Sequence, residues 1–244
     1  LTNGIPNIVA SPMQHCVTTG HLGTDSVTGN FNIHDEILPD YDNAKYIIYV
    51  GNNASIGAVS TCRVVRFAQG RKNGAKVVVL DPRLSETGAK ADEWIPIRPG
   101  TDLDFCLAML REMLNKKLYD ADFLRTHTNM PFLTYKDDNN QWQLVKDAEG
   151  HPMVLRANTS EIHALPAYTN ENLTDVDGNT FYPALYAPMP QGVAVPETAV
   201  AGVGRPAFTV LQAQLAEIAQ CTPEWAEKTT GIPADTIRRI AHEF

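Results

Sequence analysis

Several side chains able to hold a polar ligand stand where apolar runs of this sequence break off. Asn53 follows the run Tyr46–Val50 in Gly51-Asn52-Asn53, and Asp81 and Arg83 follow Lys76–Leu80 in Asp81-Pro82-Arg83. Asp102 comes directly after the break Pro99-Gly100-Thr101. A carboxylate accepts paired N–H or O–H donors, and a guanidinium pairs with phosphate or stacks on a flat ring. Main-chain N–H groups at a helix start hold an anion. The set suits a nucleotide-like ligand. Each residue also has an ordinary reading: Asp81 as a turn former, Asp102 as a helix N-cap, Arg83 as half of a surface ion pair.

The elements that must position these groups are legible around them. Tyr46–Val50 and Lys76–Leu80 are rich in β-branched residues, and Val59–Asn73 between them carries apolar residues at helical spacing. That alternation predicts a βαβ unit with a parallel sheet. In such sheets ligands sit just beyond the carboxyl ends of the strands, where both polar breaks fall.

Further helices are predicted downstream. Leu103, Cys106, Leu107, Leu110, Met113 and Leu114 follow i, i+3, i+4 spacing and form one apolar stripe, with Thr101 or Asp102 as N-cap. A short helix is expected over Asp120–Thr126. Phe208, Leu211, Leu215 and Ile218 mark another, Thr222-Pro223-Glu224 starts the next, and Pro233 opens the last, with Ile237, Ile240, Ala241 and Phe244 facing inward. Residues 135–204 are rich in Asp, Asn, Gly and Pro. Asp137–Asn140 suggests a hairpin, while 175–179 and 183–196 read as loops. The predicted fold class is α/β: a Rossmann-like, mostly parallel sheet flanked by helices, with an irregular loop and hairpin insertion. The expected regions are 1–134 for the ligand-binding part, 135–204 for the insertion, and 205–244 for a helical segment returning to the core.

Composition narrows the function. The net charge of −8 argues against nucleic acid or an anionic membrane surface as the main partner. Between Val59 and Arg98, however, eight Lys/Arg face four Asp/Glu, a local balance compatible with phosphates. No apolar run is long enough to cross a bilayer, and no secretory signal is present. The four cysteines, Cys16, Cys62, Cys106 and Cys221, include no CxxC pair, so these residues alone build neither a zinc ribbon nor an iron–sulfur cluster. Cys62 and Cys106 are expected to be inert core thiols. Gly51–Ile56 lacks the GxGxxG turn of a nicotinamide-binding dehydrogenase. Both ends of the sequence, Leu1 and Phe244, read as cuts within a longer chain.

The G-x-N after the first run, Asp81-Pro82-Arg83 after the second, and the stretch T-x-A-K-A-D-x-W-I-P-I-R-P-G-T-D from Thr87 to Asp102 resemble the molybdopterin oxidoreductases of the dimethyl sulfoxide reductase family. Leu118-Tyr119-Asp120, Thr128–Leu133, Pro223–Ala226 and Thr230–Pro233 extend the likeness. Ala54 departs from it, standing where many relatives have Pro.

The resemblance implies a bis(molybdopterin guanine dinucleotide) cofactor with molybdenum or tungsten. Gly51, Asn53, Ser55, Asp81, Arg83, Pro99, Gly100 and Asp102 are its expected contacts. Gly4-Ile5-Pro6-Asn7 is similar to a family motif preceding the protein's ligand to the metal, which implies Cys16 as that ligand. A thiolate suits a soft, redox-active metal. His15 and His21 are candidate proton donors; Thr18, Thr19 and Asp25 are weaker candidates for the same pocket, and His127 and His163 have no supporting context. Formate is disfavoured, because Val17 rather than His follows Cys16.

The implied activity is a two-electron, oxygen-atom-transfer type reaction on a small-molecule substrate, most simply a respiratory-type reduction of a small oxyanion. An iron–sulfur subunit would deliver electrons. A 4Fe-4S cluster is expected in the full-length protein but not in these residues, and these residues alone are expected to be inactive. The alternatives are a hydroxylase or transhydroxylase acting on an aromatic hydroxyl substrate, and a cofactor-less relative like the electron-transfer subunit of complex I. The compartment is not specified.

Overall fold

The structure, a computed structural model, describes residues 23–27, 39–54, 56, 62–157, 161–165, 183–186, 193–194 and 203–244. The chain divides into two compact units, Leu1–Ile95 and Pro96–Phe244.

The first unit is built on β1 (Tyr46–Val50), α1 (Cys62–Lys72), β2 (Lys76–Leu80) and β3 (Glu93–Ile95). The strands form a three-stranded parallel sheet in the order β1-β2-β3, with Tyr46 opposite Lys76 and Val78 opposite Glu93. This is the predicted βαβ arrangement. β2 is central, and Val77, Val78, Val79 and Leu80 have 0% exposure, which explains why it reads as an unbroken apolar run rather than an alternating one. Val77 and Val79 cluster with Tyr41, Ile47, Tyr49 and Phe67. The ring of Phe67, from α1, meets that of Tyr49 edge-on at 5.6 Å. Burying such a side chain stabilises the unit by about 1.5–3 kcal/mol. Asp92 ties the start of β3 to its surroundings: its carboxylate accepts from the Val77 N–H at 2.7 Å and pairs with Arg71 at 3.4 Å.

The second unit holds α2 (Asp102–Lys116), α3 (Ala121–His127), β4 (Leu133–Lys136), β5 (Trp142–Leu144), β6 (Met153–Leu155), β7 (Ile162–Ala164), β8 (Val193–Ala194), β9 (Val203–Pro206), α4 (Ala207–Glu217), α5 (Pro223–Thr230) and α6 (Ala234–Glu243). The expected hairpin is present as antiparallel β4–β5. Two further antiparallel pairings, β6–β7 and β8–β9, lie in or reach into the stretch read from sequence as irregular. Of the two expected loops, 175–179 lies outside the described residues, and the second contains β8.

α2 is packed on more than one side, and this corrects the single stripe expected for it. Leu107, Leu110 and Leu114 join a cluster with Phe208, Leu215 and Cys221, while Phe105, Ala108, Met109 and Glu112 are also buried. Leu103 is 66% exposed and Cys106 is exposed rather than a core thiol. The expectation for the Cys62 side chain falls outside what the structure describes. Ile218 and Phe244, both expected to face inward, are exposed as well. Each is the C-cap of its helix, one residue past the last helical position.

Candidate functional site

The carboxyl ends of β1 and β2 carry the residues singled out in the sequence. Gly51 donates its N–H to Leu80 O at 2.8 Å, which extends the β1–β2 pairing past the end of β1. Asp81 is 9% exposed, and its N–H donates to Ile95 O at 3.2 Å while its carbonyl accepts from Trp94 Nε1 at 2.9 Å. The backbone of Asp81 is thereby clamped on both sides. Its Oδ1 accepts from the Arg83 N–H at 3.1 Å, closing an Asx turn. Oδ2 receives no hydrogen bond among the described residues. Arg83 is exposed. The turn-forming role and an open acceptor therefore coexist in one carboxylate.

Asn53 is engaged at both ends of its carboxamide. Its Oδ1 accepts from Thr87 N–H at 3.2 Å and from Thr87 Oγ1 at 2.7 Å, and its Nδ2 donates to Glu86 Oε2 at 2.7 Å. The Glu86 carboxyl titrates below its ordinary range, because its own backbone N–H and then the Asn53 amide favour the charged form, with a contribution from Arg83. Thr87 and Glu86 were not singled out from the sequence, although Thr87 opens the longest recognisable motif.

In the second unit, the turn before α2 is held from behind. Arg98 donates its N–H to Thr230 O at 3.0 Å, and its guanidinium donates to Lys228 O at 2.6 Å and Thr229 O at 3.2 Å, capping the carboxyl end of α5. Thr101 occupies the N-cap position of α2, yet its hydroxyl donates to Arg98 O at 2.8 Å instead of capping the helix. Gly100 takes φ +80°, a conformation that glycine reaches without strain. Asp102 is then the first helical residue, half-buried, with its carboxylate at the positive end of the helix dipole. Cys106, one turn on, has its thiol held above the ordinary value, first by desolvation and then by the negative charge of Asp102. Arg98 was missed from sequence, although it too lies in the long motif.

Cys16, His15, His21, Thr18, Thr19 and Ser55 lie outside the described residues; Asp25 falls in the helical segment 23–27. His127 is exposed and stacks on Phe123 with ring centroids 5.0 Å apart. His163 Nε2 lies 3.8 Å from Glu161. Asp147, Glu149 and His151 bring ligand-type atoms within 4.8 Å of one another. There Asp147 accepts from both the His151 backbone N–H and its Nδ1, so the group closes its own turn. No described helix is long and apolar enough to cross a membrane.

Compared with known protein families, residues 7–213 match the one described as molybdopterin oxidoreductase. The chain is 33% identical over 213 residues to a sulfite dehydrogenase subunit of Allochromatium vinosum, covering 84% of this chain and 20% of that protein. It is 35% identical over 191 residues to a putative dimethyl sulfoxide reductase catalytic subunit of Halobacterium salinarum, covering 73% of this chain and 23% of that one. Among solved structures, acetylene hydratase from Pelobacter acetylenicus superposes with a TM-score of 0.50 at 18% identity, over 95% of this chain and 20% of that one. That likeness concerns the fold. The chain thus spans about a fifth of the length of these proteins.

Proposed function

Because the chain belongs to the molybdopterin oxidoreductase family, with catalytic subunits of the dimethyl sulfoxide reductase group among its relatives, we propose that it forms part of such an enzyme's catalytic polypeptide and binds the guanine dinucleotide of bis(molybdopterin guanine dinucleotide). Family membership implies a molybdenum–pterin cofactor; the dinucleotide form and the residues below are our assignment. The observation carrying it is the end of β2. Asp81 is fixed there by three hydrogen bonds and keeps one carboxylate oxygen open at the strand end. A ribose hydroxyl or a guanine N–H needs such an acceptor, and the residues present fit the group.

Asp102 is assigned to the same cofactor on its place in the family motif and its carboxylate. The Gly51 N–H is taken by Leu80 O, so the main-chain N–H groups from Asn52 to Ala54 are assigned to the pyrophosphate, with Ser55 next to them in sequence, and Arg83 adds positive charge or stacking surface. Pro99 and Gly100 shape the turn that presents Asp102. Cys16 is assigned as the thiolate from the protein to the metal, and His15 and His21 as proton donors near it.

When bound, the cofactor supplies a two-electron redox centre suited to oxygen-atom transfer. The substrate class we assign is a small oxyanion. Relatives named for sulfite and perchlorate support this, the second being a perchlorate reductase subunit of Dechloromonas aromatica, 28% identical over 228 residues. An iron–sulfur subunit, together with a 4Fe-4S cluster outside these residues, would carry the electrons.

The test measures molybdenum and releasable GMP per polypeptide in the complete enzyme. Asp81→Asn and Asp102→Asn are expected to lower both, each costing about 1–3 kcal/mol of cofactor affinity as a charge-assisted contact is lost. Cys16→Ser is expected to retain GMP while changing the metal's spectrum. Wild-type GMP content in both Asp variants would remove them from the site.

A further inference from the structure

We propose that Asn53 and Thr87 form a latch that sets the spacing of the two strand-end loops, making Asn53 a positioning residue whose side chain acts through the loop after β2. The inference rests on the cofactor reading above and deepens it.

Two adjacent parallel strands hold each other only as far as their ladder runs. Beyond Gly51 and Asp81 the loops leave the sheet, and nothing in the ladder fixes the gap between them. Asn53 spans that gap, reaching residues 33 and 34 positions away in sequence. One carboxamide oxygen takes two hydrogens from Thr87, from its N–H and its hydroxyl, while the amide nitrogen gives one to Glu86.

The chemistry selects the residue type. Asp would keep the acceptor but lose the donor and place a second negative charge against Glu86. Ala loses both functions, and Gln adds a methylene that pushes the amide past the gap. On the other side, Thr87 is 0% exposed, so its hydroxyl has no access to water if the latch is lost. The depressed Glu86 carboxyl supports a negatively charged partner for the amide over the neutral range.

Thr87 also stands at the entry to a short turn of helix, Gly88–Lys90, and Gly88 N–H donates to Ser85 Oγ at 3.2 Å. The loop from Asp81 to Lys90 is thus internally ordered, and the latch joins it as one body to the loop after β1. Asp81 sits at the root of that body. A change in the gap would move the open carboxylate oxygen of Asp81 relative to the Asn52–Ala54 main chain. These are the two groups assigned to different parts of one dinucleotide.

The experiment uses the complete enzyme with Asn53→Ala, Thr87→Val, the Asn53→Ala/Thr87→Val pair, the conservative Thr87→Ser, and Asp81→Asn as a cofactor-contact control. Hydrogen exchange of the peptide covering 82–90 is read beside GMP and molybdenum content and kcat per bound molybdenum. Asn53→Ala removes all three hydrogen bonds and is expected to speed exchange about tenfold; Thr87→Val removes only the hydroxyl's bond and is expected to speed it less, with the pair no faster than Asn53→Ala alone. Cofactor content falls in the same order, further in Asn53→Ala than in Thr87→Val, and Thr87→Ser behaves as wild type. If Asn53→Ala loses cofactor while exchange over 82–90 stays at the wild-type rate, Asn53 contacts the cofactor directly and the latch is wrong. Coupled exchange with cofactor content unmoved by every variant, Asp81→Asn included, sinks the dinucleotide reading and the latch's role with it.

Discussion

Tyr119 shows how a local environment reshapes one side chain. Its phenol oxygen hydrogen-bonds that of Tyr186, and both rings meet Phe208 edge-on, at 5.0 and 5.5 Å between centroids. Desolvation first, then the hydrogen bond and negative charge of Tyr186, push the Tyr119 phenol from 10.0 up to about 12, partly offset by Arg125. The folded state therefore holds this proton where the unfolded chain releases it. The resulting stabilisation is complete below about pH 10 and is lost as pH rises toward about 12. A phenolate absorbance titration is expected to show one tyrosine with a midpoint near that upper value, absent in Tyr119→Phe. Ionisation of every tyrosine by about pH 10 would refute the assignment. The candidate site obeys the same logic with opposite sign. Around Glu86 the surrounding donors favour the charged form, so the contribution is present above the ordinary carboxyl range and lost as acid protonates it.

At the level of elements, α5 displays start and stop signals that each have a partner in space. Thr222 Oγ1 accepts from the Trp225 N–H at 3.1 Å with Pro223 in the first turn, and Gly231 closes the helix at φ +80°. Thr222→Ala is expected to cost about 1 kcal/mol. Gly231→Ala is expected to cost about 1–2 kcal/mol through the left-handed conformation alone, and its new methyl would stand 3.7 Å from Arg98 Nε. Chemical denaturation checks both, and a neutral Gly231→Ala would overturn the second. Such local signals made α5, α6, β1, α1 and β2 legible in sequence. α2 was harder, because a helix covered on two sides buries Phe105, Met109 and Glu112 as well as Leu114 and leaves no single stripe to read. β5, β6 and β7, three residues each, draw their stability from pairing, which composition does not encode. In the candidate site, Asp81 and the polar breaks could be read from strand periodicity. The Asn53–Thr87 and Arg98–α5 contacts could not, because they join residues 34 and about 130 positions apart.

For the whole molecule, the decisive quantity is how much of a large cofactor these residues can enclose. The first unit offers one three-stranded sheet with two loops at its carboxyl edge, and the chain spans 20% and 23% of the length of two relatives. On the reading proposed above, these strand-end loops hold only the nucleotide head of the cofactor. Oxygen-atom-transfer chemistry also needs a dry pocket around the metal and a path for electrons. The 244 residues expressed alone are therefore expected to show no reduced-viologen oxidation with perchlorate, arsenate or dimethyl sulfoxide, and no dye reduction with sulfite, even when the cofactor is offered. The complete enzyme is expected to turn over at least one oxyanion in the same assay. Turnover by the 244 residues would overturn this expectation and move all of the chemistry into them. Binding of the dinucleotide without turnover, measured by equilibrium dialysis against GMP-bearing pterin, is the result that the geometry at Asp81 leads us to expect.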